Sequence, residues 1–105
     1  MNAAKRKRLE AAGFRVGSAE DFLGLDAEEV AIVEMKIALA DKIKTLRQSK
    51  NMTQTELAHR LKSSQSRIAK IEAGDASVSI DLLIRAVLAV GASKKEVAKA
   101  IANSF

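Results

Sequence analysis

Apolar residues recur at steps of three and four along most of the chain. Val33, Ile37, Ala40, Ile43 and Leu46 form one stripe. That spacing predicts a helix from near Asp26 to about Lys50. Asp26 and Glu29 have capping-box spacing at its start, and Lys36, Lys42, Lys44 and Arg47 lie off the stripe. Leu57, Ala58 and Leu61 predict a second helix, opened by the capping box Thr53-Gln54-Thr55-Glu56. Lys62-Ser63-Ser64 is too short and polar for more than a turn. Ser64 then caps a third helix, Gln65 to about Ala73, stopped by Gly74. A fourth helix fits Ser79 to Val90, closed by Gly91. Its residues Ile80, Leu82, Leu83, Ile84, Val87, Leu88 and Val90 nearly surround it, so it must be buried on two sides. Ser93 and Glu96 open a fifth helix to about Asn103, with Val97, Ile101 and Phe105 on its apolar side.

Three of the five glycines, Gly13, Gly17 and Gly24, precede this regular part. Residues 1–25 therefore read as an N-terminal arm, with a short turn of helix starting at Ser18, and residues 26–105 as one all-α domain of five helices. The chain has 105 residues and no cysteine, so neither a disulfide framework nor a Cys-based zinc site is expected. No apolar run approaches the roughly 18 residues of a membrane span. Met1 to Arg8 lacks the apolar stretch of a signal peptide. A reducing cytoplasm is the expected setting. His59 is the single histidine and reads as a surface residue, so no metal site is expected. No Ser–His–acid set stands out, and the carboxylates scatter over helix caps and one acidic stretch. The expectation is a protein that is not an enzyme, with no cofactor and no small-molecule substrate.

The net charge is +5, but its distribution says more than its sum. Residues 1–19 are net +4, residues 20–35 net −6, residues 36–70 net +7, and residues 71–105 neutral. A basic segment of that length suggests a polyanion partner, most simply nucleic acid. A solvated basic face is the alternative. On a helical wheel, Ile68, Ile71 and Glu72 of the third helix fall on one side. Ser66, Ala69, Lys70 and Ala73 fall on the other, flanked by Gln65 and Arg67. That outer face holds donors, acceptors and small residues. It suits entry into a major groove, where Gln can read adenine and Arg or Lys guanine. It equally suits a plain solvated face.

The string Met52-Thr-Gln-Thr-Glu-Leu-Ala-His-Arg-Leu-Lys-Ser-Ser-Gln-Ser-Arg-Ile-Ala-Lys-Ile-Glu-Ala-Gly74 separates these readings. It resembles the phage-repressor/Cro type of helix-turn-helix domain, the XRE family, over about residues 33–91. The resemblance implies a repressor-like fold whose recognition helix spans about 65–73. It implies base contacts from Gln65, Ser66 and Arg67, with Lys70 one turn later. Gln54 matches the family's phosphate-contacting Gln, and Lys62, Ser63 and Ser64 are further candidates for contact with the DNA backbone. Arg47 and Glu72 match an ion pair that ties the first helix to the third. The family usually has Gly where this chain has Lys62. A left-handed backbone there would cost on the order of 1 kcal/mol. Lys42, Lys44 and Lys50 read either as long-range attraction or as solvated charge.

Residues 5–23, ahead of a helix-turn-helix, look like the arm of the one-domain HigA-type antitoxins. Those proteins neutralise a RelE/ParE-like toxin and repress their own operon. On that resemblance Phe14, Val16, Phe22 and Leu23 are candidate toxin contacts; folding over the domain's own core is the other reading. Glu20, Asp21, Asp26, Glu28, Glu29 and Glu34 could meet a basic partner or serve as helix caps. A single recognition helix gives little specificity, so a homodimer on palindromic operator DNA is expected. Val87, Leu88, Val97, Ile101 and Phe105 are its candidate contacts. A stand-alone repressor without a toxin, or a protein-interaction module that has lost DNA readout, are the competing readings.

Overall fold

The computed structural model describes residues 26–103, and a side-chain oxygen caps the start of each helix among them. Asp26, Thr53, Ser64, Ser79 and Ser93 each accept a bond from the backbone N–H three residues on. The helices that follow are α1 (Ala27–Ser49), α2 (Gln54–Arg60), α3 (Gln65–Glu72), α4 (Ile80–Ala89) and α5 (Lys94–Ala102). Each satisfied cap removes one orphan donor and stabilises its helix by about 1 kcal/mol. Reciprocal capping boxes close at Thr53 with Glu56 and at Ser93 with Glu96. At the latter, the Ser93 backbone and hydroxyl hold the Glu96 carboxyl below its ordinary value, and Lys42 and Lys50 add attraction.

The ends of α1 to α4 share one device as well. After α1 the N–H of Met52 returns to the carbonyl of Arg47, and after α2 that of Ser63 returns to Ala58. After α3 Asp75 returns to Lys70, and after α4 Ala92 returns to Val87. This closure needs a left-handed residue just before the donor. Asn51, Lys62, Gly74 and Gly91 supply it, with φ of +52°, +53°, +72° and +107°. Lys62 therefore keeps the conformation that the family's glycine would adopt, and bears its strain. Lys62→Gly is expected to raise stability by about 1 kcal/mol. Thermal unfolding should show the midpoint rising by roughly 4–8 °C.

The five helices pack around one core. Leu39, Ile43, Leu57, Ile68, Ile71, Leu83, Val87 and Val90 are fully buried there. Helix α4 packs against α1 on one side and α5 on another, as its nearly all-apolar surface requires. Helix α2 packs on α3, and α3 also meets α1. Of the α1 stripe, Val33, Ile37, Ala40 and Ile43 are buried and Leu46 is half-buried. Leu39, outside that stripe, is fully buried too, because the buried face of α1 turns as its neighbours change along its length.

Two expected surface residues are in this core. Val87 is fully buried and Val97 nearly so. Neither can meet a second copy without opening the fold, which corrects their reading as dimer contacts. Leu88 is 43% exposed and Ile101 half-buried. Phe105 lies outside the described residues, as do the arm positions Phe14, Val16, Phe22 and Leu23. No described helix is long and apolar enough to cross a membrane.

Candidate nucleic-acid interface

Helices α2 and α3, joined by residues 61–64, form a helix-turn-helix unit. Burial of Ile68, Ile71 and Glu72 fixes which side of α3 faces inward. Gln65, Ser66, Arg67 and Lys70 are all exposed. The structure thus brings the four expected base-contacting residues to one short helix. In the turn, Lys62 and Ser64 are exposed and Ser63 is half-buried.

A chain of polar contacts fastens the start of α3 to the rest of the domain. Arg47 on α1 donates from Nε to Glu72 Oε2 at 2.5 Å and from Nη2 to Oε1 at 3.0 Å. Its Nη1 donates to the Met52 carbonyl at 2.7 Å. The pair is shielded, with side-chain exposures of 11% for Arg47 and 4% for Glu72. The hydrogen bond it donates to Glu72 raises the Arg47 pKa above its ordinary value. Because the arginine value is raised in the folded state, this contribution is present below the unfolded arginine's own range for as long as Glu72 is ionised.

Glu72 Oε1 also accepts from Gln54 Nε2 at 3.2 Å, and Gln54 Oε1 accepts from Gln65 Nε2 at 2.6 Å. Gln54 is therefore more than a residue awaiting phosphate. Its amide is held between the buried carboxylate and the first residue of α3, with one amide hydrogen left over. Gln65 in turn keeps its carbonyl and one amide hydrogen free. One acceptor beside one donor is the pattern needed to pair with adenine's N6 amino group and N7. Capping-box and wheel arguments cannot reveal this linkage, because its members lie 11, 18 and 25 residues apart.

The basic segment 36–70 divides between structure and surface. Lys36 Nζ donates to the Ala76 carbonyl, Lys50 Nζ to Val90, and an Arg60 Nη1 hydrogen to Ala89. Lys42 pairs with Glu96 at 3.8 Å. Lys50 and Arg60 thus place positive charge on the last carbonyls of α4, where the helix dipole favours it. A Cβ at Gly91 would displace the flexible end of Lys50 from the Val90 carbonyl, and the left-handed backbone, with φ of +107°, is what requires glycine there. Lys62, Arg67 and Lys70 remain as the cations of the turn and α3. Beside α3, an open cleft of about 380 Å³ runs to the loop before α4.

His59 is exposed, and among the described residues no group of His, Asp or Glu could hold a metal. An exposed polar helix, anchored at its first residue and carrying unengaged cations, defines a DNA-binding helix-turn-helix module. The comparison with protein families agrees: the model of the helix-turn-helix family matches residues 43–97, more than half of the chain. The chain belongs to that family and is a DNA-binding transcription regulator of the XRE type. Neither the search of curated proteins nor that of solved structures returned a match.

Proposed function

We propose that this protein is a sequence-specific regulator that binds palindromic operator DNA as a dimer. The observation that carries this reading is the fixed amide of Gln65. Its contact with Gln54 reduces the rotamer freedom it must lose on reading a base. Ser66 extends the reading face along α3. Lys62, Ser63 and Ser64 in the turn, together with the remaining amide hydrogen of Gln54, serve the DNA backbone. Phosphate contacts of this kind fix register without carrying sequence information.

A two-fold dimer would set two α3 helices about 34 Å apart on one face of the duplex. Leu88, Ile101 and Phe105 are the candidates that remain for that contact. The finer role is antitoxin and autorepressor of a HigA-like toxin–antitoxin operon. It is supported by the resemblance of residues 5–23, with Phe14, Val16, Phe22 and Leu23 as toxin contacts. The acidic start of α1 adds to it, since Glu28 and Glu29 stand exposed in its first turn and suit a basic partner.

The test is titration of duplex DNA from the protein's own promoter. Two chains per duplex, and Gln65→Ala losing about 1–3 kcal/mol of discrimination at one base pair, are expected. A monomer at high micromolar concentration that binds DNA one to one would contradict the dimer. Copurification with a basic RelE/ParE-like protein encoded beside the gene is the expected sign of the antitoxin role.

A further inference from the structure

Arg67 sits on a different flank of α3 from Gln65. At 100° per residue, their side chains leave the helix about 160° apart. Gln65 is on the flank held by α2 through Gln54. Arg67 lines the cleft of about 380 Å³ between α3 and the loop leading into α4. A helix about 10–12 Å across nearly fills a major groove about 12 Å wide, so a side chain on its flank faces a sugar–phosphate wall, except at the first residue, Gln65, where the N-terminal end of the helix meets base edges.

The cleft has the chemistry for such a wall. Arg67 and Lys70 line it from α3, and Ser79 lines it from the start of α4. Neither cation donates a side-chain hydrogen bond to another described residue. The Ser79 oxygen accepts from the Leu82 N–H, which leaves its own hydroxyl hydrogen to donate outward. Asp75 is the nearby carboxylate, and its charge acts on Lys70. It is occupied by its own loop, accepting from the Ser77 N–H at 2.8 Å and the Ser77 hydroxyl at 2.6 Å.

We propose that Arg67, Lys70 and Ser79 form a seat for one phosphodiester of the DNA backbone. Arg67 and Lys70 are then phosphate contacts and not the base readers that the family resemblance implies. The guanidinium offers a bidentate fork to two phosphate oxygens, the ammonium adds a point charge, and the hydroxyl adds a neutral donor. Specificity then rests on Gln65 and Ser66, and Arg67 contributes affinity that is equal for all sequences. This assignment rests on the DNA-binding reading above.

The test compares the full-length protein with Arg67→Ala and Arg67→Lys, on an operator duplex and on a scrambled duplex, over a salt series. A phosphate clamp predicts that Arg67→Ala weakens binding by the same factor on both duplexes. The slope of log affinity against log salt should become shallower by about one. Arg67→Lys should restore the slope. The proposal is overturned if Arg67→Ala leaves the slope unchanged, or changes base preference at one position of the operator. Wild-type protein that binds both duplexes equally would instead remove the sequence-specific reading. A shallower slope for Arg67→Ala on those same duplexes would still support the seat. Wild-type protein that binds neither duplex at low salt would remove both.

Discussion

Arg47→Ala lowers the stability of the domain by about 3–5 kcal/mol. The guanidinium makes three hydrogen bonds, two to Glu72 and one to the Met52 carbonyl. Its removal leaves a carboxylate that is 4% exposed with Gln54 as its remaining donor. For a domain of this size each kcal/mol moves the unfolding midpoint by roughly 4–8 °C, so the midpoint should fall by more than about 12 °C. Thermal unfolding followed by circular dichroism measures it. A double variant, Arg47→Met with Glu72→Met, should lose less than Arg47→Ala alone, because no buried charge is then stranded. A single-variant loss under about 1 kcal/mol would show that water screens the pair and that it does not hold α1 to α3.

Ile68→Ala comes next, at about 2–5 kcal/mol. Ile68 is fully buried on the inner face of α3, four residues after the cap Ser64. Its truncation leaves a void between the helices that surround it, and the lost contacts have no replacement. The outer face is untouched. Chemical denaturation should therefore show reduced stability, whereas DNA selectivity measured well below the midpoint should be that of the wild type. Altered base preference in folded Ile68→Ala protein would mean that α3 is positioned by this side chain rather than by the Gln54–Gln65 contact.

Local rules made much of this fold legible. Thr53, Ser64 and Ser93 cap helices where the sequence places them, and Gly74 and Gly91 end two of them. The core was only partly legible. Met52, Val78 and Ala92 are buried although they lie in loops. Each immediately precedes a capping residue, the outer position of a hydrophobic staple, so a signal was present in the order of the residues. Lys62 departs from the family's glycine and adopts its backbone all the same, because the closing bond from Ser63 to Ala58 requires it.

The site was legible as a set of residues and not as an arrangement. Exposure of Gln65, Ser66, Arg67 and Lys70 follows from the wheel. The tether from Gln54 to Gln65 does not, nor does the use of Lys36, Lys42 and Lys50 within the fold. Those depend on groups that only tertiary packing brings together; Lys50 and Val90 are 40 residues apart. Segment charge therefore overstated the positive field facing DNA. Ser79 was visible only as the start of the fourth helix, and its place beside Arg67 depends on how the loop before α4 returns past α3.

The central claim, that α3 reads duplex DNA by sequence, is tested most directly by selection from random duplex DNA with the purified full-length protein, repeated over a salt series. The expected result is enrichment of a palindrome, with affinity that falls steeply as salt rises. Recovery of unselected sequences, with only weak salt-sensitive binding, would contradict it.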